Sequence, residues 1–194
     1  MSGLFLVLDC VHWKETKFRT PLCHDAGRLL IWILERQSIP RDRWRHGYCF
    51  KGAKKSLPTK KRERQKALEA SLGELHDEIS AAKRDFGELA LVGVGRLACE
   101  SLTGASVLKD YSGTTWPLSP SWRDLGLDKV WISQSTDAAL YNPTLSVEIS
   151  GTLLAAAKKV GIPIGPFRGP GELPEPIDWL EYQGGEDGRG RGTG

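Results

Sequence analysis

The chain opens on a nearly continuous apolar run, Leu4 to Asp9, and comparable runs return at Leu89 to Val92 and Val130 to Ser133. Short aliphatic and β-branched runs without alternation are expected of strands covered on both faces of a sheet. Between them the apolar spacing becomes helical. Asp25 to Gln37 sets Leu29, Leu30, Ile33 and Leu34 on one face and stops short of Pro40. Thr59 to Arg84 turns Ala67, Leu68, Leu72, Leu75 and Ile79 inward, with an interruption expected at Gly73. Arg96 to Leu102 is a short helix ending at Thr103-Gly104, and Thr144 to Val160 is the last. A short strand around His46 to Phe50 completes the alternation, whereas Asp110 to Asp128, with Gly113, Pro117 and Pro120, reads as loop. The order β-α-β-α-β-α-β-α predicts an α/β fold of three layers, α/β/α, around a central and mostly parallel four-stranded sheet.

In such a sheet the carboxyl ends of the strands face the crevice in which ligands bind. The segment KVWISQSTDAALYNP, Lys129 to Pro143, leaves a strand for a polar loop there. Asn142 fits a helix cap and Pro143 the first turn, where its missing N–H goes unneeded. Residues 1–165 are expected to form one domain. Residues 166–194 are a Pro/Gly-rich tail with only acidic charges from Glu172 to Asp187, and its GGEDGRGRGTG end is expected to be disordered.

Composition narrows the class further. Hydrophobic residues at 40% and charged residues at 26% are globular values. No apolar run reaches the roughly 18 residues of a membrane span, and Leu4 to Leu8 lacks the basic flank of a signal peptide, so a cytoplasmic protein without membrane contact is expected. Cys10, Cys23, Cys49 and Cys99 stand far apart with no CxxC pair, which argues against a metal site and for reduced thiols.

The net charge of +3 conceals a cationic stretch from Arg41 to Lys66 that includes Lys51, Lys54, Lys55, Lys60 and Lys61. With Trp44, Tyr48 and Phe50 interleaved it suits a phosphate backbone with stacked bases. The competing reading is a solvated helix face with core aromatics.

Three segments, in order, resemble a known family. ELALVGVGRLACESLTG, Glu88 to Gly104, is similar to the KVIVALGRTALEALLG of iron–sulfur uracil-DNA glycosylases. LDCVHWKETKFRTPLCHDAGRLL lies without gaps on GEAPGxxEDxxGxPFVGxAGxLL, and STDAALYNP on HPAxxLRNP. The resemblance covers about Leu4 to Val160. It implies a monomeric enzyme that flips a nucleotide out of DNA and hydrolyses its N-glycosidic bond, because the bond is shielded in the stack.

What the resemblance implies for individual residues is mixed. Asp9 falls on the family's glutamate and would position water, the alternative being a loop cap. His12, on the same loop, would be a general acid or phosphate contact, or only a solvent-facing histidine. Ser135 stands where the family has the histidine that donates to the base anion, leaving Ser135 or Thr136 as donors. Tyr48 replaces the base-reading asparagine and Leu22 the stacking phenylalanine, with Cys10 beside them in the base pocket. Uracil recognition is therefore not expected. The exchanges at Leu22 and Ser135 enlarge the pocket, whereas Tyr48 opposes this unless its ring turns outward. Lys51, Lys54, Lys55 and Arg96 are expected to hold phosphates. Tyr141 and Asn142 would enter or brace the duplex, the alternative for Tyr141 being packing on the last helix. No cluster and no other cofactor is expected, since the family's early cysteine pair has no counterpart and a later ligand falls on Gly52. The implied activity is a glycosylase for a pyrimidine larger than uracil, such as the hypermodified or glucosylated cytosine of phage DNA, whose abasic product blocks replication. A catalytically inactive fold that binds DNA or protein is the alternative. A nucleotide-binding enzyme built on Gly93-Val94-Gly95 is weaker, for the glycines lack the full GxGxxG spacing.

Overall fold

Strand β1, Ser2–Val11, lies inside the sheet, with the edge strand β2, Trp44–Ala53, on one side and β3, Glu88–Val94, on the other, both parallel to it. The computed structural model describes residues 1–105, 108 and 112–166. Beyond β3 comes β5, Lys129–Ser133, also parallel, and the far edge is β4, Thr115–Pro117, antiparallel to β5. The order β2-β1-β3-β5-β4 makes a mostly parallel sheet of five strands, where the sequence predicts four. The fifth was hidden in the segment read as loop. Three residues are too few for a period, and Pro117 reads as a breaker although an edge strand tolerates it.

The unbroken apolar runs follow from covering helices. Leu4, Leu6 and Leu8 pack with Leu30, Ile33 and Leu34 of α2, Asp25–Arg36, and with Ile149 and Leu153 of α6, Thr144–Lys159. Phe5 and Val7, which alternate with them, pack instead with Leu75 and Ile79 of α3, Lys61–Phe86, and with Ala98 and Leu102 of α4, Arg96–Thr103. α3 runs without interruption through Gly73, beside which an added Cβ would meet nothing within 4 Å. One glycine costs about 1 kcal/mol of helix propensity, and the packing of Leu75, Ile79, Ala82 and Phe86 outweighs it.

Two short helices stand where loops are expected. α1, Trp13–Phe18, follows β1 and closes on Arg19 at φ 52°. α5, Thr136–Tyr141, replaces the polar loop after β5 and is capped by Ser135, whose Oγ accepts from the Ala138 amide at 3.1 Å. Asn142 ends α5, and Pro143, not Asn142, is the residue preceding α6. Asn142 still serves that helix start: its Oδ1 accepts from the Thr144 amide at 3.3 Å and hydroxyl at 2.6 Å. A 3-10 segment, Pro120–Leu125, fills more of the expected loop, and Trp122 there is buried and donates to the Ser101 carbonyl at 2.9 Å. Residues 110–111, and the tail from 167 on, lie outside the described residues. Among the described residues no helix is long and apolar enough to cross a membrane.

Candidate functional site

Because β2 and β3 leave β1 on opposite sides, the sheet reverses its direction of growth between β1 and β3. Open α/β sheets form their ligand crevice at the carboxyl ends of strands at such a switch point. Asp9 stands there on β1. Its Oδ1 accepts the Ala98 amide at 2.9 Å, in the first turn of α4. α4 begins at Gly95, which has no side chain to cap it, so Asp9 supplies the cap from the neighbouring strand, where a negative charge also suits the helix dipole. The approach is close. Gly95 has φ +106°, and a Cβ there would lie 2.6 Å from both Asp9 carboxylate oxygens.

Above this point opens a cleft of about 490 Å³. It brings together most of the residues singled out from the sequence: Asp9 and Cys10 on β1 and His12 just after it; Leu22 before α2; Tyr48 on β2; Lys55 after it; Ser135, Thr136 and Tyr141 on and beside α5. Leu22 is buried at φ 57°, and the loop that carries it lies so near α2 that a Cβ on Gly27 would come within 2.6 Å of the Leu22 Cα and carbonyl oxygen. Thr136 is buried, whereas Tyr141 is 84% exposed at the rim, so it extends into solvent and is not packed on α6.

Behind the cleft wall is a polar group that sequence reasoning missed. Glu15 of α1 is buried, with Tyr48 Oη donating to its Oε2 at 2.6 Å and His24 Nε2 lying 2.8 Å from its Oε1. Burial acts to raise the Glu15 carboxyl, but the His24 and Tyr48 hydrogen bonds and the His24 charge hold it below the usual range. The Tyr48 phenol is pushed far up, by burial and by the adjoining Glu15, and stays a donor. Its ring is therefore fixed inward. Glu15 stands between lysines in WKETKF, with no local signal of burial; His24 caps α2 through Nδ1, which accepts from the Gly27 amide at 3.4 Å, and histidine is not among the usual caps.

His12 lies against this group, its ring stacked on His24 with centroids 4.3 Å apart at 18°. Its Nδ1 accepts the Lys14 amide at 3.2 Å, which assigns the proton of the neutral ring to Nε2. Burial, then the neighbouring His24, lowers its pKa, favouring the neutral form. A neutral imidazole of this kind is a hydrogen-bond donor to an anion, not a charge.

Part of the cationic stretch is held in ion pairs. Lys51 pairs with Glu78 of α3, Arg45 with Asp85 at 2.7 Å, and Lys60 with Glu63 at 3.5 Å. Trp44 and Tyr48 are buried, so neither offers a face to a base. Lys55 of the same stretch lines the cleft. Lys54 begins a 3-10 turn after β2; Arg96 is exposed at the start of α4, and Asn142 is exposed beside α6.

Among the described residues the cysteines are not grouped as an iron–sulfur site requires. Cys49 and Cys99 are buried in the core on the α3 side, and Cys10 lines the cleft. Gly52 sits at the bulge of β2, where a Cβ would lie 2.7 Å from the Phe50 ring. Among the described residues no group of three or more His, Cys, Asp or Glu side chains could hold a metal ion. No protein-family model matches the chain, and no curated protein matches it.

Proposed function

We propose that the chain is a DNA glycosylase of the uracil-DNA glycosylase superfamily, a three-layer α/β/α enzyme that takes a flipped, modified pyrimidine into the cleft and hydrolyses its N-glycosidic bond. One observation carries this reading: Asp9, His12, Leu22, Tyr48 and Ser135, distant in sequence and each aligned with a glycosylase motif, line one cleft at the carboxyl ends of β1 and β5. In the reaction the C1′–N bond breaks with its electron pair passing to the base, and the sugar gains oxocarbenium character. Asp9 orients water toward C1′ and takes its proton. The base anion receives a hydrogen bond from His12 Nε2–H, with the Ser135 hydroxyl as a second donor, and takes its proton from solvent as it leaves. Ser135 Oγ accepts from Ala138, so its own hydrogen points elsewhere.

The base we assign is larger than uracil, a hypermodified or glucosylated cytosine. Leu22 takes the place of a ring, the Tyr48 hydroxyl is spent on Glu15 rather than on a base edge, and Asp137 brings a carboxylate to the cleft wall, an acceptor suited to sugar hydroxyls. Purified protein incubated with DNAs bearing uracil, hydroxymethylcytosine or glucosylated cytosine, then treated with alkali, should break only the strands with modified cytosine. Breaks confined to uracil DNA would overturn the assignment.

A second reading, an inactive glycosylase fold that binds DNA or protein, is favoured by the Asp9 cap of α4, which gives Asp9 a structural reason to be there. It predicts salt-dependent DNA affinity with no abasic product from any of these DNAs.

A further inference from the structure

The six residues of α1 sort their charges by side. Glu15, its one acid, is turned inward to Tyr48 and His24, which leaves the two lysines as the helix's remaining charges beside Thr16 and two aromatic rings. Trp13 is 36% exposed and Phe18 57% exposed, far more than aromatic side chains placed for packing alone. The Lys17 ammonium lies between them, 5.9 Å from the Trp13 ring and 5.4 Å from the Phe18 ring, and Arg19 follows at the exposed end of the helix. Trp13 also lines the cleft, and the exposed Tyr141 lines it from α5.

We propose that this face of α1, continued by Tyr141 at the rim, is a platform for an unpaired nucleic-acid strand entering the cleft. The surface is cationic and offers flat apolar rings, the two properties that together match a polyanion with stackable bases. Within a duplex the base faces are occupied by one another, so rings displayed this way serve bases that are already unstacked. The inference rests on the glycosylase reading in that the cleft is taken to receive a nucleotide, and it adds strand preference and the residues that set it.

The test is fluorescence anisotropy of the full chain with labelled oligothymidylate and with a duplex of equal length. The wild type should bind the single strand more tightly, with affinity falling as salt rises. Trp13→Ala and Phe18→Ala should each weaken that binding at least about fivefold, from a stacking contribution of roughly 1–3 kcal/mol per base. Trp13→Phe should retain most of it, and Lys17→Gln should lower the salt slope by roughly 0.7, one single-strand phosphate contact. Thermal midpoints near wild type would show that the exposed truncations leave the fold intact; if one falls, Lys17→Gln and Trp13→Phe decide. Wild-type single-strand affinity in both alanine variants, preference for duplex, or binding to phosphatidylserine vesicles but not to oligothymidylate would each overturn the platform. Weakened variants with no abasic product from any modified DNA keep the platform and remove the glycosylase; abasic product with unchanged affinities does the reverse.

Discussion

Tyr48 Oη donates to Glu15 Oε2 across 2.6 Å, and that bond joins the edge strand β2 to α1 through the wall of the cleft. Both residues are buried. Tyr48→Phe withdraws a donor from a buried carboxylate and should cost about 1.5–3 kcal/mol at neutral pH, the range for hydrogen bonds to charged groups. The pH dependence has a definite sign. Glu15 has a folded pKa below its ordinary 4.5, so its contribution is present above that value and lost as pH falls through the folded pKa. Phenylalanine raises the folded pKa, so the difference between variant and wild type should shrink on acidification. Urea unfolding at neutral and acid pH measures this. Equal stability of the two proteins at neutral pH would show that Glu15 is satisfied without Tyr48.

Asp9 combines two duties that substitution can separate. Asp9→Asn keeps an oxygen that can accept the Ala98 amide, so stability should change little, while abasic-site formation falls by orders of magnitude because the amide cannot take the proton from water. Asp9→Ala removes the α4 cap as well and should cost a further ~1 kcal/mol, the usual loss when a capping side chain is deleted. Melting temperature and cleavage rate are read on the same preparations. Full cleavage by Asp9→Asn would remove Asp9 from the chemistry.

The parallel strands and long helices were legible because a two-sided sheet leaves continuous apolar runs and α2 leaves one apolar face. Cleft residues Asp9, Leu22 and Ser135 were singled out through the family resemblance, and they lie where strands and helices begin or end. Glu15 was not, since only the arrival of Tyr48 and His24 from elsewhere in the chain makes a residue between two lysines a buried group. The partners of the Arg41–Lys66 cations were illegible for the same reason: Glu78 and Asp85, which pair with Lys51 and Arg45, lie on a helix whose neighbours are set by tertiary packing. Trp13 and Phe18 carried no signal in the sequence, because only the fold of α1 brings Lys17 against both rings.

His12 and His46 should make the protein less stable in mild acid. Burial lowers both below the ordinary 6.5, aided by His24 at His12 and opposed by Glu15 at His46. With folded pKa below unfolded, the unfolded chain binds more protons in that interval, so stability is full above 6.5 and declines as pH falls toward the folded values. His12→Gln and His46→Gln should each flatten the decline between about pH 7 and 5, as followed by urea midpoints. Ring-proton NMR titration locates the values directly, and a His12 midpoint above 6.5 would contradict the neutral donor assigned to it.

Two glycine-to-alanine exchanges in helices should move stability in opposite directions. Both remove the same backbone freedom, which favours alanine by roughly 0.5–1 kcal/mol in a helix interior. At Gly73 nothing lies within 4 Å of the new Cβ, so Gly73→Ala should gain about that amount. At Gly27 the Cβ would lie 2.6 Å from the Leu22 Cα and carbonyl oxygen, and backbone cannot swing aside as the end of a side chain can. Overpacking of this kind costs about 1–3 kcal/mol and exceeds the helical gain. Gly27→Ala should therefore lower the melting temperature and, by displacing the Leu22 loop from α2, widen the cleft and speed labelling of the half-buried Cys23 thiol. Thermal unfolding of both variants with thiol-labelling rates decides the matter, and a stabilised Gly27→Ala protein would mean that the Leu22 loop is not seated on α2.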